Sequence, residues 1–382
     1  MRRLFISFAL VLPLTLAGAV PSTARPLPAR WAHCDVWTVV ATPDPTGLAG
    51  YQDVAVLDPW HAYAVGWMTK GHLASRRLAI AAVWDGRRWS ATTLQPPADK
   101  TIAWELTGVA ARSDHEVWAV GRRGGRPLVE RYDGRRWEIV PVPRLNGRAA
   151  LEAVTTIPGS GAVWVVGWRV REQVNHPLAM RWTGSRWIRT VTPAAASGLA
   201  LQGVTSTGRG AWAVGALGLP EQGTSGPPGV LRWTGARWVR AQIPSPPVAR
   251  LVSVASGSPS DVLAVGYGGR HGRGFVIRWN GRRWTPVTDA RIPGLDRFGA
   301  SDVAYSTAGD AWIVGGFELP GEHEWLAPAA YHRVGGRWSR TMLPTPEGAA
   351  FPEGVDAGTP HDVWVVGQEG GYDATPFAQH RC

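Results

Sequence analysis

Short apolar runs of four or five residues alternate with polar turns along almost the whole chain, and two kinds of run recur at a steady interval. The first is apolar-Trp-apolar-Val-Gly, as in Val117-Trp118-Ala119-Val120-Gly121. Related copies run from Val163, Ala211, Val262, Ala311 and Val363, and Ala62-Tyr63-Ala64-Val65-Gly66 is the earliest. Their closing glycines, at 66, 121, 167, 215, 266, 315 and 367, lie 46 to 55 residues apart. The second is a hairpin, Arg131-Tyr132-Asp133-Gly134-Arg135-Arg136-Trp137, repeated at 181–187, 232–238 and 278–284, with Trp84–Trp89 and Arg333–Trp338 as its first and last copies. An X-Gly pair between two aromatic-bearing arms is a strong hairpin signal. A Leu-x-small-Val run (Leu106–Val109, Leu151–Val154, Leu201–Val204) precedes each Trp-Val-Gly run. Each period thus holds a strand a, the Trp-bearing strand b, and the hairpin arms c and d, with no stretch of helical period. Four short strands in each of seven periods predict an all-β fold, a seven-bladed β-propeller with four antiparallel strands per blade.

The chain ends fit a closed ring. Cys34 to Pro43 reads as a lone strand d, whereas the last period supplies a (Glu353–Asp356), b (Asp362–Gly367) and c (Pro376–Arg381) and stops. The last blade is therefore expected to be closed by both termini, which removes the open edges of a linear array. Aligning Trp37 with Trp137 and Pro376 with Pro127 sets Cys34 and Cys382, the only cysteines, where the other blades have their X-Gly turn. A disulfide between them would replace that turn. It would enclose about 350 residues and stabilise the ring by roughly 5–6 kcal/mol on chain-entropy grounds.

The first residues change the picture of where this happens. Arg2 and Arg3 precede the apolar stretch Leu4–Leu16, followed by small residues at Ala17-Gly18-Ala19 and Ser22-Thr23-Ala24. That is the pattern of a secretory leader over 1–24, cleaved near 19 or 24, ahead of a single propeller domain over 31–382. A secreted, extracellular protein is expected, and an oxidising compartment permits the disulfide. No later segment is apolar enough to insert in a membrane. The net charge is +11, but all except Lys70 and Lys100 of the 40 basic residues are Arg. Such a bias follows GC-rich coding, so no nucleic-acid partner is inferred, and a monomer is expected.

Of 22 tryptophans, 16 recur at fixed places on strands b, c and d and read as packing between neighbouring sheets. Among the others, Trp67 and Trp168 directly follow the strand b glycine, as Tyr267 does in blade five, while Trp104 lies before blade two and Trp325 in the b–c loop of blade six. These converge on the face formed by b–c and d–a loops, which also carries the longest loops. With Arg122, Arg171 and Arg270 on the same loops, they form the candidate ligand-binding set. Rings stack on sugars, and Arg pairs with carboxylate or phosphate.

Catalytic signatures are scarce. There is no HxH, HExxH, GxSxG or Walker loop, and no metal or cofactor is expected. The acids Asp53 and Asp302 on strand a, and Glu152 and Glu353 beside the channel, each have a packing explanation. The whole mature chain resembles the secreted kelch-like or galactose-oxidase-like propellers of high-GC Gram-positive bacteria, and Asp85–Trp89 and Asp133–Trp137 resemble degenerate Asp-box repeats. The resemblance implies a propeller. It does not extend to a copper oxidase, whose thioether cysteine has no counterpart once Cys34 and Cys382 pair. The expected function is non-catalytic binding of a carbohydrate or cell-wall polymer on the b–c/d–a face. The alternatives are a polysaccharide lyase or glycoside hydrolase at the channel mouth, and an extracellular protein-interaction platform.

Overall fold

In the computed structural model of the chain, which describes residues 35–70, 76–208, 210–218, 226–244, 249–268, 273–288, 291–318, 326–345, 350–370 and 373–382, the apolar runs pair into seven four-stranded antiparallel sheets. β1 (Trp37–Val40) opens the chain. Blade one is β2 to β5 (Ala49–Asp58, His61–Thr69, Arg77–Trp84, Trp89–Ala91), and blade two is β6 to β9 (Trp104–Ser113, Glu116–Arg123, Arg126–Tyr132, Trp137–Ile139). Blade three is β10 to β13 (Ala149–Thr156, Val163–Arg171, Val174–Trp182, Trp187–Arg189), and blade four is β14 to β17 (Leu199–Thr207, Gly210–Leu217, Pro228–Trp233, Trp238–Arg240). Blade five is β18 to β21 (Arg250–Ser258, Asp261–Gly268, Arg273–Trp279, Trp284–Val287), and blade six is β22 to β25 (Phe298–Tyr305, Ala311–Glu318, Leu326–Val334, Arg337–Met342). β26 to β28 (Ala350–Thr359, Asp362–Glu369, Thr375–Arg381) form blade seven with β1, in the order β1-β28-β27-β26. The fold is the seven-bladed propeller that the repeat predicts.

Both termini close blade seven. Trp37 lies opposite Arg381 and Val40 opposite Ala378. Beyond the ladder, the Asp35 N–H donates to the Cys382 carbonyl at 2.9 Å, and Arg381 Nη2 meets Asp35 Oδ1 at 2.6 Å. Cys382 is buried. Cys34 lies outside the described residues, as does the apolar stretch Leu4–Leu16.

The glycine ending each Trp-Val-Gly motif has a backbone cause. In every blade the a–b register slips by one residue, for example between Leu151 and Ala153 and between Leu201 and Gly203. This is a β-bulge. A Cβ on Gly167 would run into the carbonyl oxygen of Ala150, and one on Gly121 into that of Glu105; Gly66, Gly215, Gly266, Gly315 and Gly367 are equally blocked. The motif glycine admits the bulge.

Tryptophans wedge the blades apart at a set distance. Between blades two and three, Trp118, Trp182 and Trp187 meet with centroids 5.3 to 5.6 Å apart. Trp164, Trp233 and Trp238 repeat the triad, as do Trp212, Trp279 and Trp284, and Trp364, Trp84 and Trp89. The strand b member of each is at most 3% exposed. Tilted and edge-on pairs of this kind add about 0.5–1.5 kcal/mol beyond area burial.

Substituting Gly167→Ala is expected to cost about 3 kcal/mol or more, because backbone rather than a movable side chain stands in the way. Gly159→Ala, at φ +70° with nothing within 4 Å of the new methyl, should cost only about 1 kcal/mol. Urea melts of the two variants check the contrast; equal losses would remove the bulge as the reason for the motif.

Candidate functional site

The bulges aim one residue per blade at the axis. Gln52, Thr107, Glu152, Gln202, Val252, Ser301 and Glu353 all line a central channel of about 360 Å³. Each inner strand also leaves an edge with no sheet partner, and its N–H groups need acceptors. Aspartates supply them across blade boundaries. Asp53 accepts from its neighbour Val54 and from Val109 of blade two, each at 2.8 Å. Asp302 accepts from Val355 of blade seven, and Asp356 from Val56 of blade one, both at 2.8 Å. The packing role expected for Asp53 and Asp302 is a staple between blades.

A second, wider cavity of about 730 Å³ opens on the b–c/d–a face over blades one to three. Two polar groups line it, Arg77–Glu105–Arg122 and Trp168–Glu152. Arg77, at the head of β4, lies over the Trp67 ring with its guanidinium carbon 4.3 Å from the centroid and reaches Glu105 Oε2 of blade two at 2.8 Å. Arg122 Nε holds the other oxygen of Glu105 at 2.6 Å. In blade three, Trp168 Nε1 donates to Glu152 Oε1 at 2.7 Å. Glu105 is nearly buried, so two guanidinium partners are what make its charge tolerable there. Arg148, Gln52, Trp104 and the Gly124-Gly125 turn complete the walls.

Of the residues singled out in the sequence, Trp104, Trp168 and Arg122 line this one cavity, and Trp67 lies beneath Arg77 at its edge. The rings are covered: Trp67 is 8% exposed, Trp104 5% and Trp168 1%. They are supports, with no open aromatic platform. Tyr267 sits apart in blade five under Arg250, whose guanidinium is 5.2 Å from its ring. Arg171 is exposed at a turn beside Glu172, 3.3 Å away. Trp325 and Arg270 lie outside the described residues. Arg77, Glu105 and Arg148 escaped the sequence reading. The available signal was a misfit to the repeat: Glu105 stands where other blades have Gly50, Ala150, Ala200, Arg250, Gly299 and Phe351. Among the described residues, no three His, Cys, Asp or Glu converge as metal ligands would.

No family model and no curated protein matches the chain. Among solved structures it is similar to YCF48 bound to D1 peptide, at 17% identity and a TM-score of 0.58, over 91% of this chain and 95% of that one. It is also similar to the Pyrococcus horikoshii acylaminoacyl peptidase, at 8% identity and a TM-score of 0.53. That match covers 88% of this chain and 52% of the peptidase, so the chain spans about half the peptidase's length. The likeness shows the propeller fold.

The acids around the axis share one electrostatic property. Burial pushes Glu152 and Glu353 up to about 7, against the pull of Trp168 and Arg122 on the first and of Arg77 on the second. Burial likewise raises Asp302 and Asp356 to about 6, and Asp53 well above the ordinary carboxylate range, with Asp302 adding to the effect on Asp53. Glu130 on β8 is fully buried, neither oxygen has a partner among the described residues, and burial raises it from 4.5 to about 7. In the folded state these groups hold protons that the unfolded chain gives up near pH 4 to 4.5. Their stabilisation is complete below that range and lost as pH rises through 6 to 7. The melting temperature is therefore expected to fall between pH 5 and pH 8. Replacing Glu130→Met, with the residue found at the matching position 180 of blade three, should flatten the slope and add about 3 kcal/mol at pH 8. Calorimetry across that range checks both; a rising melting temperature would contradict the shared burial of these acids.

Proposed function

We propose that the protein is an exported binding propeller that holds an extended, acidic polypeptide segment in the cleft over blades one to three. The observation that carries this reading is the cross-blade floor Trp67–Arg77–Glu105–Arg122, with Arg148 on the rim. The arginines are held in position by Glu105 before any ligand arrives, so little ordering cost attends binding. Guanidinium groups fixed in this way suit bidentate pairing with carboxylates. The covered rings of Trp67, Trp104 and Trp168 weigh against a sugar-stacking lectin, and a solved propeller of the same fold is bound to a peptide.

Export rests on the Arg2-Arg3 leader and on the cysteine pair. Asp35, next to Cys34, is hydrogen-bonded to the Cys382 carbonyl, which favours a Cys34–Cys382 bond. Cys34→Ser combined with Cys382→Ser is expected to lower the melting temperature while leaving the circular dichroism spectrum unchanged. An unchanged melt under non-reducing conditions would remove the latch.

The binding reading is tested by fluorescence anisotropy with labelled acidic, neutral and basic peptides of about twelve residues, alongside a polysaccharide panel. The acidic peptides should bind, more weakly as salt rises, and Arg148→Ala should weaken them about tenfold. Polysaccharide binding without peptide binding would replace this reading with the glycan one. Release of reducing ends from a polysaccharide, lost in Glu353→Gln, would move the activity to the channel mouth. There Glu152 and Glu353, both raised to about 7, could serve as acid and base.

A further inference from the structure

The gap between blades five and six breaks the tryptophan wedge. Where the other gaps have an aromatic ring from strand b, blade five contributes Leu263; where most have a ring from strand c, blade six contributes Arg333. Of the three triad places only strand d keeps its ring, Trp338, while Tyr305 from strand a of blade six brings a ring into the gap from the side, its hydroxyl donating to Asp261 at 2.9 Å. Trp338 is also the strand d tryptophan that is not fully buried, whereas Trp37, Trp89, Trp137, Trp187, Trp238 and Trp284 are at most 7% exposed. Leu263 and Arg333 are themselves buried, and beside them a cavity of about 230 Å³ reaches Trp338.

The cavity has a cationic wall. Arg333 is 7% exposed and lies 5.8 Å from the Trp338 ring, with Nη2 on Asp261 Oδ2 at 2.6 Å and on Tyr305 Oη at 3.1 Å. Arg278 Nε takes Asp261 Oδ1 at 2.7 Å. Arg291 lines the same cavity, and its side chain has no partner among the described residues. Three guanidinium groups thus face one carboxylate, and Asp261 is already engaged by two of them. Leu263 and Val287 supply an apolar side. At the mouth, Gly309, Gly335 and Gly336 carry no side chain, and nothing lies within 4 Å of where a Cβ would be.

We propose that this gap is a binding slot for a small planar aromatic carboxylate. Its body would take the place that indoles occupy in four other gaps, and its carboxylate would meet Arg291 and Arg278. The shape follows from the blade spacing, which the intact triads elsewhere hold at the separation of packed rings. The charge preference follows from the guanidinium excess in a partly desolvated space. The slot lies between blades five and six, away from the cleft over blades one to three, and does not depend on a ligand there.

The test is calorimetric titration of the full chain with indole-3-carboxylate, with cyclohexanecarboxylate and sulfate as the non-planar and non-aromatic comparisons. Saturable binding of indole-3-carboxylate, weakened about tenfold or more by Arg291→Ala, is expected. Leu263→Trp should abolish binding by restoring the missing ring, and should melt no lower than the unsubstituted chain. If that variant does not fold, Leu263→Phe makes the same comparison with a smaller ring, and Arg291→Ala leaves the core untouched. No saturation up to about 10 mM, or binding that survives ring insertion in a folded variant, would overturn the proposal. Sulfate binding as tight as the aryl carboxylate would also overturn it.

Discussion

Close approach of two backbones, the strand b glycine and the carbonyl at the head of the inner-strand bulge, is the constraint on which the rest of the ring depends. Any side chain there would meet a peptide group, which cannot rotate aside as a side chain can. Because the glycine is present in all seven blades, all seven inner strands bulge at the same point. The bulge turns one residue per blade toward the axis. Six of the seven are polar, and they include Glu152 and Glu353 on the channel wall. Asp53 and Asp302, each directly after a bulge, reach the next blade and satisfy N–H groups that the curved inner edges leave without a sheet partner.

Those acids oppose folding at neutral pH, and the wedges between blades outweigh them. An acid raised from 4.5 to about 7, as Glu130 is, costs about 3 kcal/mol above pH 7. A buried indole removes on the order of 200 Å² from water, worth roughly 5 kcal/mol by area and less against a compact unfolded chain. A triad of three therefore exceeds one buried acid comfortably. That margin lets the ring carry several raised carboxyl groups, and it also leaves room for a gap in which two of the three rings are missing.

Legibility in the sequence followed repetition. The glycine spacing, the X-Gly hairpins and the Trp positions each occur many times, so their agreement identified seven blades and the closure by both termini. Trp37 does pair beside Arg381, at the register expected from the hairpin copies. The cleft was only half legible. Trp104, Trp168 and Arg122 were expected on loops but lie on strand ends, because β6, β7 and β11 run past the motif positions. They line one cavity because the same end of every sheet opens on the same side. Exposure was another matter. Whether a ring on that face is open depends on what the adjacent blade sends over it, and Arg77 covers Trp67 from a strand start with no repeated signature. Glu105 was unreadable for a related reason: Arg122 faces it across the a–b ladder of its own blade, but Arg77 lies 28 residues before it and is joined to it only by the apposition of blades.

In a repeat fold, then, a departure from the repeat carries information that the repeat itself does not. A residue that recurs seven times answers a demand made seven times, and that demand is packing. Glu105 where most blades have a small residue, Glu130 where most have an apolar one, and Leu263 with Arg333 where most have rings answer local demands. Two of these departures lie in cavities lined with excess arginine, the cleft over blades one to three and the gap between blades five and six. Glu130 lies in neither, and its unpaired carboxyl is a local cost. The difference is physical: in the two cavities Glu105 and Arg333 are charged, hydrogen-bonded and next to open space, so a ligand can complete what packing leaves unfinished.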